Sequence, residues 1–243
     1  MVDPRISIIN ERVKETRNII VVISGKGGVG KSLVASTLAL ILAKKGHRVG
    51  LLDLDFTSPS THIILKIDGQ QPKEEKGIIP PQIHGINYMS IVFYSRKYTL
   101  PLRAIEASNA LIELLSITRW GTQDFLIIDM PPGISDVTLD IIQLIKRIKF
   151  LIITTPSQLA YTTVEKLIDL LVELRMPIIG VIENMKMEAS PSIQQQVEKI
   201  NIHFLGTLPF DSGIEEALGN TDALIETTFA SKLNEIIVRT CIL

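Results

Sequence analysis

Residues Ser24 to Ser32 read "SGKGGVGKS", and what flanks them decides the fold. Before them stands "NIIVVI", a β-branched run that suits a strand buried on both faces. After them comes "SLVASTLALILAKKG", Ser32 to Gly46, apolar almost all round, as a buried helix is, with Gly46 placed to stop it. Gly25, Gly30, Lys31 and Ser32 satisfy the spacing G-x-x-x-x-G-K-[ST]. The glycines let backbone N–H groups turn inward around an anion, and the start of the helix adds the positive end of its dipole. Lys31 is expected to reach the β- and γ-phosphates of a nucleotide, and the Ser32 hydroxyl to bind Mg2+. Lys26 is a second lysine that such a cradle does not need.

Working outward, strands and helices alternate along the whole chain. A first amphipathic helix is expected over Ile6–Thr16, within an N-terminal segment 1–17. "RVGLLDLDF" reads as a second strand. The polar stretch Lys66–Gly85 reads as a loop or ribbon insertion. "INYMSIVF" is then a strand, "LRAIEASNALIELLSIT" a helix, and "DFLIIDMPPG" a buried strand broken by two prolines. Beyond it the pattern gives helix Val137–Ile145, strand Phe150–Thr155, helix Ala160–Leu174 and strand Ile178–Glu183. A helix near Ser192–Lys199, a short strand His203–Gly206 and a last helix Phe229–Val238 follow. The expected fold is a single α/β domain over 1–243: a doubly wound, mostly parallel sheet with helices on both faces. Ligands of such sheets sit at the C-terminal ends of the strands.

Composition narrows the classes of function. The chain has 243 residues, 46% hydrophobic and 21% charged, with a net charge of −1. That supports a sizeable core and gives no strong nucleic-acid or membrane signal. One cysteine, Cys241, rules out a disulfide framework and suits a reducing compartment. The apolar runs are strand-sized, and a cytoplasmic protein is expected. The four histidines, His47, His62, His84 and His203, show no metal-ligand spacing.

Two acids, Asp53 and Asp55, close the second strand and, two apart, share one face. One can hold Mg2+ through its water shell and the other can orient an attacking water. Asp129 follows four apolar strand residues and is placed to hold a metal-bound water. Pro131, Pro132 and Gly133 then force a stiff turn beside the phosphate loop. "VIENM" puts Asn184 just past a strand end, where its amide could read an adenine edge.

The loop "SGKGGVGKS" resembles the deviant Walker A loop of the MinD and ParA class of P-loop ATPases. Within that class "DMPPGISD", with Asp136 as its last acid, "ENM" and "LPFDSGI" are similar to the Mrp-type iron–sulfur carriers. The resemblance runs from about Asn18 to Leu218. It implies ATP or ADP and Mg2+ as ligands, with Gly25, Lys26, Gly27, Gly28, Val29, Gly30, Lys31, Ser32 and Leu33 around the phosphates. It implies Asn184, Pro209, Phe210 and Asp211 at the base, and Ser32, Asp53 and Asp129 at the metal. It assigns the catalytic work to Lys26, Lys31 and Asp55, with Asp55 on the water. Lys26 is implied to cross a homodimer interface and touch the phosphates held by the partner, as an arginine finger does. ATP would then lie at the interface.

The chain also departs from that pattern. Mrp-type carriers have C-P-x-C four residues beyond E-N-M; here Ser190 and Ile193 stand at the cysteine positions, with Pro191 between them. Neither side chain is a usual iron ligand, which argues against a cluster held in the usual way. Leu33 replaces the threonine that follows the Mg2+ ligand in many relatives. In the last helix Lys232, Glu235 and Arg239 mix signs, which favours core packing over a membrane anchor. Three uses of the switch follow: iron–sulfur cluster assembly, positioning or regulation of MinD or ParA type through a protein, membrane or DNA partner, and small-molecule ligation. A protein partner is expected, which the sequence does not identify.

Overall fold

The computed structural model describes residues 4–94, 104–187 and 192–240. Within these, helix α1 (Arg5–Val13) leads into strand β1 (Thr16–Ser24), helix α2 (Lys31–Lys44), strand β2 (Val49–Asp53) and the short helix α3 (Thr61–Ile64). A ribbon of β3 (Lys73–Glu74) and β4 (Ile78–Ile79) precedes β5 (Gln82–Ile83) and β6 (Ile86–Ser90). Then come α4 (Ala104–Ile117), β7 (Gln123–Asp129), α5 (Asp136–Leu144), β8 (Ile148–Thr154), α6 (Gln158–Glu173) and β9 (Ile178–Lys186). The chain continues through α7 (Gln194–Lys199), β10 (Phe204–Pro209), α8 (Ile214–Ala217), α9 (Thr221–Glu226) and α10 (Thr228–Arg239).

The main sheet has eight strands in the order β10-β9-β8-β1-β7-β2-β6-β5. Its pairings are parallel except for β5 against β6. The expected doubly wound, mostly parallel sheet is therefore present. β1 alternates its burial across the two faces. Ile19, Val21 and Ile23 join a core with α1, α4, α5 and α6, while Ile20 and Val22 join one with α2, α9 and α10. A strand covered on both sides has no reason to alternate polar and apolar residues, which is why "IIVVI" is continuous. The chain passes from β1 to one side of the sheet through β2 and β6, and later to the other through β8, β9 and β10. The loop after β1 thus opens at the place where the winding reverses, where such sheets bind ligands.

Several sequence expectations need correction. The first helix ends at Val13, short of Thr16 and of residue 17, because Thr16 already pairs with Gln123 in the β1–β7 ladder. The Lys66–Gly85 stretch is a ribbon: β3 pairs antiparallel with β4, and β5 adds an antiparallel edge to the main sheet. "INYMSIVF" is a strand only to Ser90, whose hydroxyl accepts from Val92 N and starts a 3-10 turn over Ile91–Phe93. β9 runs on to Lys186, and β10 covers Phe204–Pro209 instead of His203–Gly206. The three short helices α3, α8 and α9 were not expected. The expected start of the α4 helix before Ala104, and Ser190, Pro191 and Cys241, lie outside the described residues.

α10 buries Phe229, Leu233, Ile236 and Ile237 against the sheet, as core packing requires. No helix among the described residues is long and apolar enough to cross a membrane. Leu167, in the middle of α6, is fully buried beneath β8 and β1. Truncating it to alanine is expected to destabilise the protein by about 2–5 kcal/mol. Urea unfolding of Leu167→Ala checks this, and a midpoint equal to wild type would mean that α6 does not seal that face.

Candidate functional site: a phosphate loop facing a buried acid pair

The loop between β1 and α2 is shaped by contacts that exclude side chains. At Gly30 the backbone is left-handed, φ 80°, and an added Cβ would sit 2.3 Å from Asn184 Nδ2. At Gly25 a Cβ would lie 2.6 Å from the carbonyl carbon of Thr163 in α6. Both positions need glycine for space, and Gly30 needs it for backbone conformation as well. The first amides of α2 lack intrahelical partners and face the hollow of the loop. Ser24 Oγ donates to the Lys26 carbonyl at 2.9 Å, and Gly133 N donates to the Ser24 carbonyl at 2.8 Å. The proline turn after β7 is thereby stitched to the start of the loop.

A cavity of about 530 Å3 opens over this loop. It is lined by the loop itself from Lys26 to Leu33, by Asp55, Thr57, Ser58 and Ser60, by Pro132, and by an apolar wall of Ile63, Ile64, Ile214 and Leu218 with Glu215. Another cleft of similar size, about 520 Å3, runs beside edge strand β10 between Phe204 and Arg239. It contains no phosphate-binding element, so the chemistry belongs to the cavity over the loop.

Lys31 is the electrostatic centre. It is 6% exposed, and its ammonium makes a buried ion pair with Asp129 Oδ1 at the end of β7. It also donates to Ser32 Oγ at 3.2 Å. Asp53 is the register neighbour of Asp129 on β2. Both carboxylates are fully buried. Burial, reinforced by the charge of Asp129, pushes the Asp53 carboxyl up to about 7. Burial also raises Asp129, with Lys31 opposing the rise. One ammonium therefore faces two buried carboxylates, and the site is short of positive charge. Asp129 Oδ2 is buried with no hydrogen-bond partner. An orphan carboxylate oxygen next to a hydroxyl, Ser32, is a donor set that fits Mg2+, which takes oxygen ligands and keeps several waters. Among the described residues no group of three or more His, Cys, Asp or Glu side chains could hold a metal ion.

Asp55 sits differently from Asp53. It borders the cavity, 7% exposed, and its Oδ1 accepts from Thr57 Oγ1 at 2.9 Å and from Ser58 N at 3.0 Å. The two acids expected on one face are thus divided between interior and cavity wall. Lys26 also borders the cavity, and among the described residues no carboxylate pairs with its ammonium.

The base-side residues are only partly brought together. Asn184 is buried against the loop, its Nδ2 donating to the Val29 carbonyl at 2.9 Å, while its Oδ1 has no partner. Pro209 ends β10, Phe210 is 61% exposed, and neither borders the cavity. Asp211 accepts from Gly213 N at 3.0 Å and from Phe229 N at 3.2 Å, which anchors the turn after β10 to the start of α10. The apolar wall from α3 and α8 was missed. Its signals are local: Ile63–Ile64 just after a Ser60 helix start, and Ile214 with Leu218 one turn apart. Ile193, at the second cysteine position of the carrier pattern, is a core residue. It is 2% exposed, and its N–H donates to the buried Glu183 Oε1 at 2.9 Å.

A family model described as NUBPL iron-transfer P-loop NTPase, of the ParA group, matches residues 15–241. An iron–sulfur cluster carrier protein of Pyrococcus horikoshii is 34% identical over 95% of this chain and 87% of its own length. A carrier of the same description from Pseudomonas fragi is 40% identical over 70% of this chain and 60% of its length. The chain spans about three fifths of the length of the bacterial carriers it matches. Among solved structures, a nucleotide-binding protein in complex with ADP from Archaeoglobus fulgidus superposes with a TM-score of 0.77, at 29% identity over 90% of this chain and 92% of that one. The cell division ATPase MinD of Pyrococcus furiosus has a TM-score of 0.70 at 19% identity, over 92% and 99% of the two chains, and shares the fold.

The Lys31–Asp129 pair yields a test in the free protein. Lys31→Met leaves a buried carboxylate unpaired and is expected to lose about 3 kcal/mol or more of stability. Adding Asp129→Asn to it is expected to restore most of that loss. Urea unfolding in a chelator at neutral pH measures both, and a Lys31→Met protein as stable as wild type contradicts the pairing.

Proposed function

This chain belongs to the NUBPL iron-transfer P-loop NTPase family, and from that premise we propose that it is a Mg2+-dependent ATPase. In this reading the nucleotide state controls the pairing of two copies, and the pairing controls transfer of an iron–sulfur cluster to or from a client protein. The observation that carries the reading is the unequal state of the two loop lysines. Lys31 is neutralised from below by Asp129, while Lys26 faces the cavity and, among the described residues, no carboxylate meets it.

The residues divide the work as follows. The loop amides from Gly27 to Ser32 surround the β- and γ-phosphates, and Lys31 turns from Asp129 toward them. Ser32, Asp129 and, through water, Asp53 are the groups that would hold Mg2+. When bound, the metal neutralises charge that develops on the phosphate oxygens. Asp55, on the cavity wall, orients the attacking water. Lys26 of a second copy supplies positive charge at the γ-phosphate. ADP lacks the group that contacts both copies, so ATP and ADP differ in their affinity for the paired state. That difference is all that a ligand-driven switch needs. On the base side, the wall of Ile63, Ile64, Ile214 and Leu218 offers an apolar surface, while the buried Asn184 braces the loop through the Val29 carbonyl.

The cluster is cargo, not a resident group. Ile193 is closed into the core and the chain has a single cysteine, so the thiolates come mainly from the client. The competing use as a MinD-type positioning ATPase draws no support from α10, whose apolar face is spent on the sheet.

Static light scattering with ATP and Mg2+ is expected to report a dimer for wild type and a monomer with ADP. Lys26→Ala is expected to lose the ATP-dependent dimer and to hydrolyse about a hundredfold more slowly or worse. A chelator should abolish hydrolysis in both. Lys26→Ala with full activity and an intact ATP-dependent dimer would show that Lys26 is ordinary surface charge.

A further inference from the structure

Behind the acid pair lies a chain of hydroxyl groups that phosphate binding does not explain. Asp53 is wholly buried and does not border the cavity. Its Oδ1 accepts from Asp55 N at 3.0 Å. Its Oδ2 accepts from Thr61 N at 3.3 Å and from Thr61 Oγ1 at 2.6 Å. Thr61 Oγ1 lies 2.9 Å from Tyr88 OH. A threonine hydroxyl has one proton. With Asp53 ionised, that proton goes to the carboxylate, so the tyrosine must be the donor in the second contact. The chain then runs in one direction, from Tyr88 OH to Thr61 Oγ1 to Asp53 Oδ2. Burial holds the Tyr88 phenol far above its ordinary range, so it keeps the proton it donates. Thr61 and Tyr88 are both fully buried, and Phe93 packs edge-on against the Tyr88 ring at 5.7 Å.

The three donors fill three of the roughly four acceptor positions of a carboxylate. What remains of Asp53, the register neighbour of Asp129, is one lone pair on Oδ1. Thr61 is also the first residue of α3, and the same helix carries Ile63 and Ile64 to the cavity wall. One residue therefore touches the acid at its head and belongs to the nucleotide wall through its helix.

We propose that Thr61, backed by Tyr88, is a positioning residue for Asp53, and that it couples the metal site to the wall that contacts the nucleotide. The inference rests on the ATPase reading above and deepens it by naming how that site is regulated. Thr61 fixes which lone pair of Asp53 is left for a metal-bound water. A nucleotide that shifts Ile63 or Ile64 shifts α3, and Asp53 moves with it. Because coupling between two binding events is reciprocal, a bound metal in turn favours the α3 position that fits the nucleotide.

Three variants separate the hydroxyl from the packing: Thr61→Val keeps the shape and removes the donor, Thr61→Ser keeps the donor, and Tyr88→Phe removes the backing hydroxyl. ATP affinity is measured by calorimetry in a chelator, and hydrolysis is followed against Mg2+ concentration. Thr61→Val is expected to bind ATP without metal within about twofold of wild type, but to need about ten- to a hundredfold more Mg2+ for half-maximal hydrolysis, the effect of losing one hydrogen bond to a charged group. Its kcat should fall more than its KM for ATP rises. Thr61→Ser should recover most of the Mg2+ affinity, and Tyr88→Phe should lie between. A wild-type Mg2+ dependence in Thr61→Val, or a Thr61→Ser protein as impaired as Thr61→Val, overturns the proposal while leaving the ATPase reading intact. A wild-type protein that binds no ATP sinks both, and is recognised before any variant is made.

Discussion

A buried ammonium between two buried carboxylates is the constraint on which the rest of this structure depends. Lys31 opens α2, Asp129 closes β7 and Asp53 closes β2, so the ion pair and its neighbour fix three elements to one point beneath the phosphate loop. Taking such charges out of water is expensive unless the geometry is good and the remaining lone pairs are filled. Here they are not all filled: one cation serves two acids, and Asp129 Oδ2 has no partner. The site therefore holds too little positive charge inside, and at its lip stands the Lys26 ammonium, which no carboxylate among the described residues meets. A nucleotide phosphate with its metal answers both needs at once. It gives Lys31 and Lys26 an anion and gives the acids a cation.

The sequence displayed the centre of this arrangement more clearly than its edges. The loop was legible because its spacing is dictated by the size of a phosphate, and the structure adds the steric reason for Gly25 and Gly30 in Thr163 and Asn184. The parallel sheet was legible because strands buried on both faces read as unbroken apolar runs. Element ends were less so. Thr16 looks as helical as its neighbours, and only its pairing with Gln123, far away in the chain, makes it a strand residue. The short helices α3 and α8 are too brief to show a period, yet they supply the wall of the cavity. Asp53 and Asp55 were read as a pair, but a strand end that turns into a loop sends one acid inward and leaves the other at the cavity. Asp211, expected at the base, is held by the backbone of Gly213 and Phe229 instead.

The departures from the carrier pattern gain physical meaning from the fold. Ile193, at the second cysteine position of that pattern, is closed off from the surface. It is part of the core under α7, with its amide tied to a buried glutamate. A metal-binding side chain at that position would have to leave the interior to work. Family membership and this packing are compatible if the chain keeps the nucleotide engine of the family and leaves the cluster ligands to its client. Thr61 and Tyr88 fit the same picture: the hydroxyl chain concerns how the engine senses its nucleotide, not how a cluster is held.

The most direct measurement is a crystal structure with Mg2+ and a non-hydrolysable ATP analogue. The account predicts that Lys31 has left Asp129 for the phosphates. It also predicts a metal at Ser32 with its water shell on Asp129 and Asp53, and Lys26 of a second copy at the γ-phosphate. A filled loop in which Lys31 still pairs with Asp129 and no second chain approaches the nucleotide would contradict it.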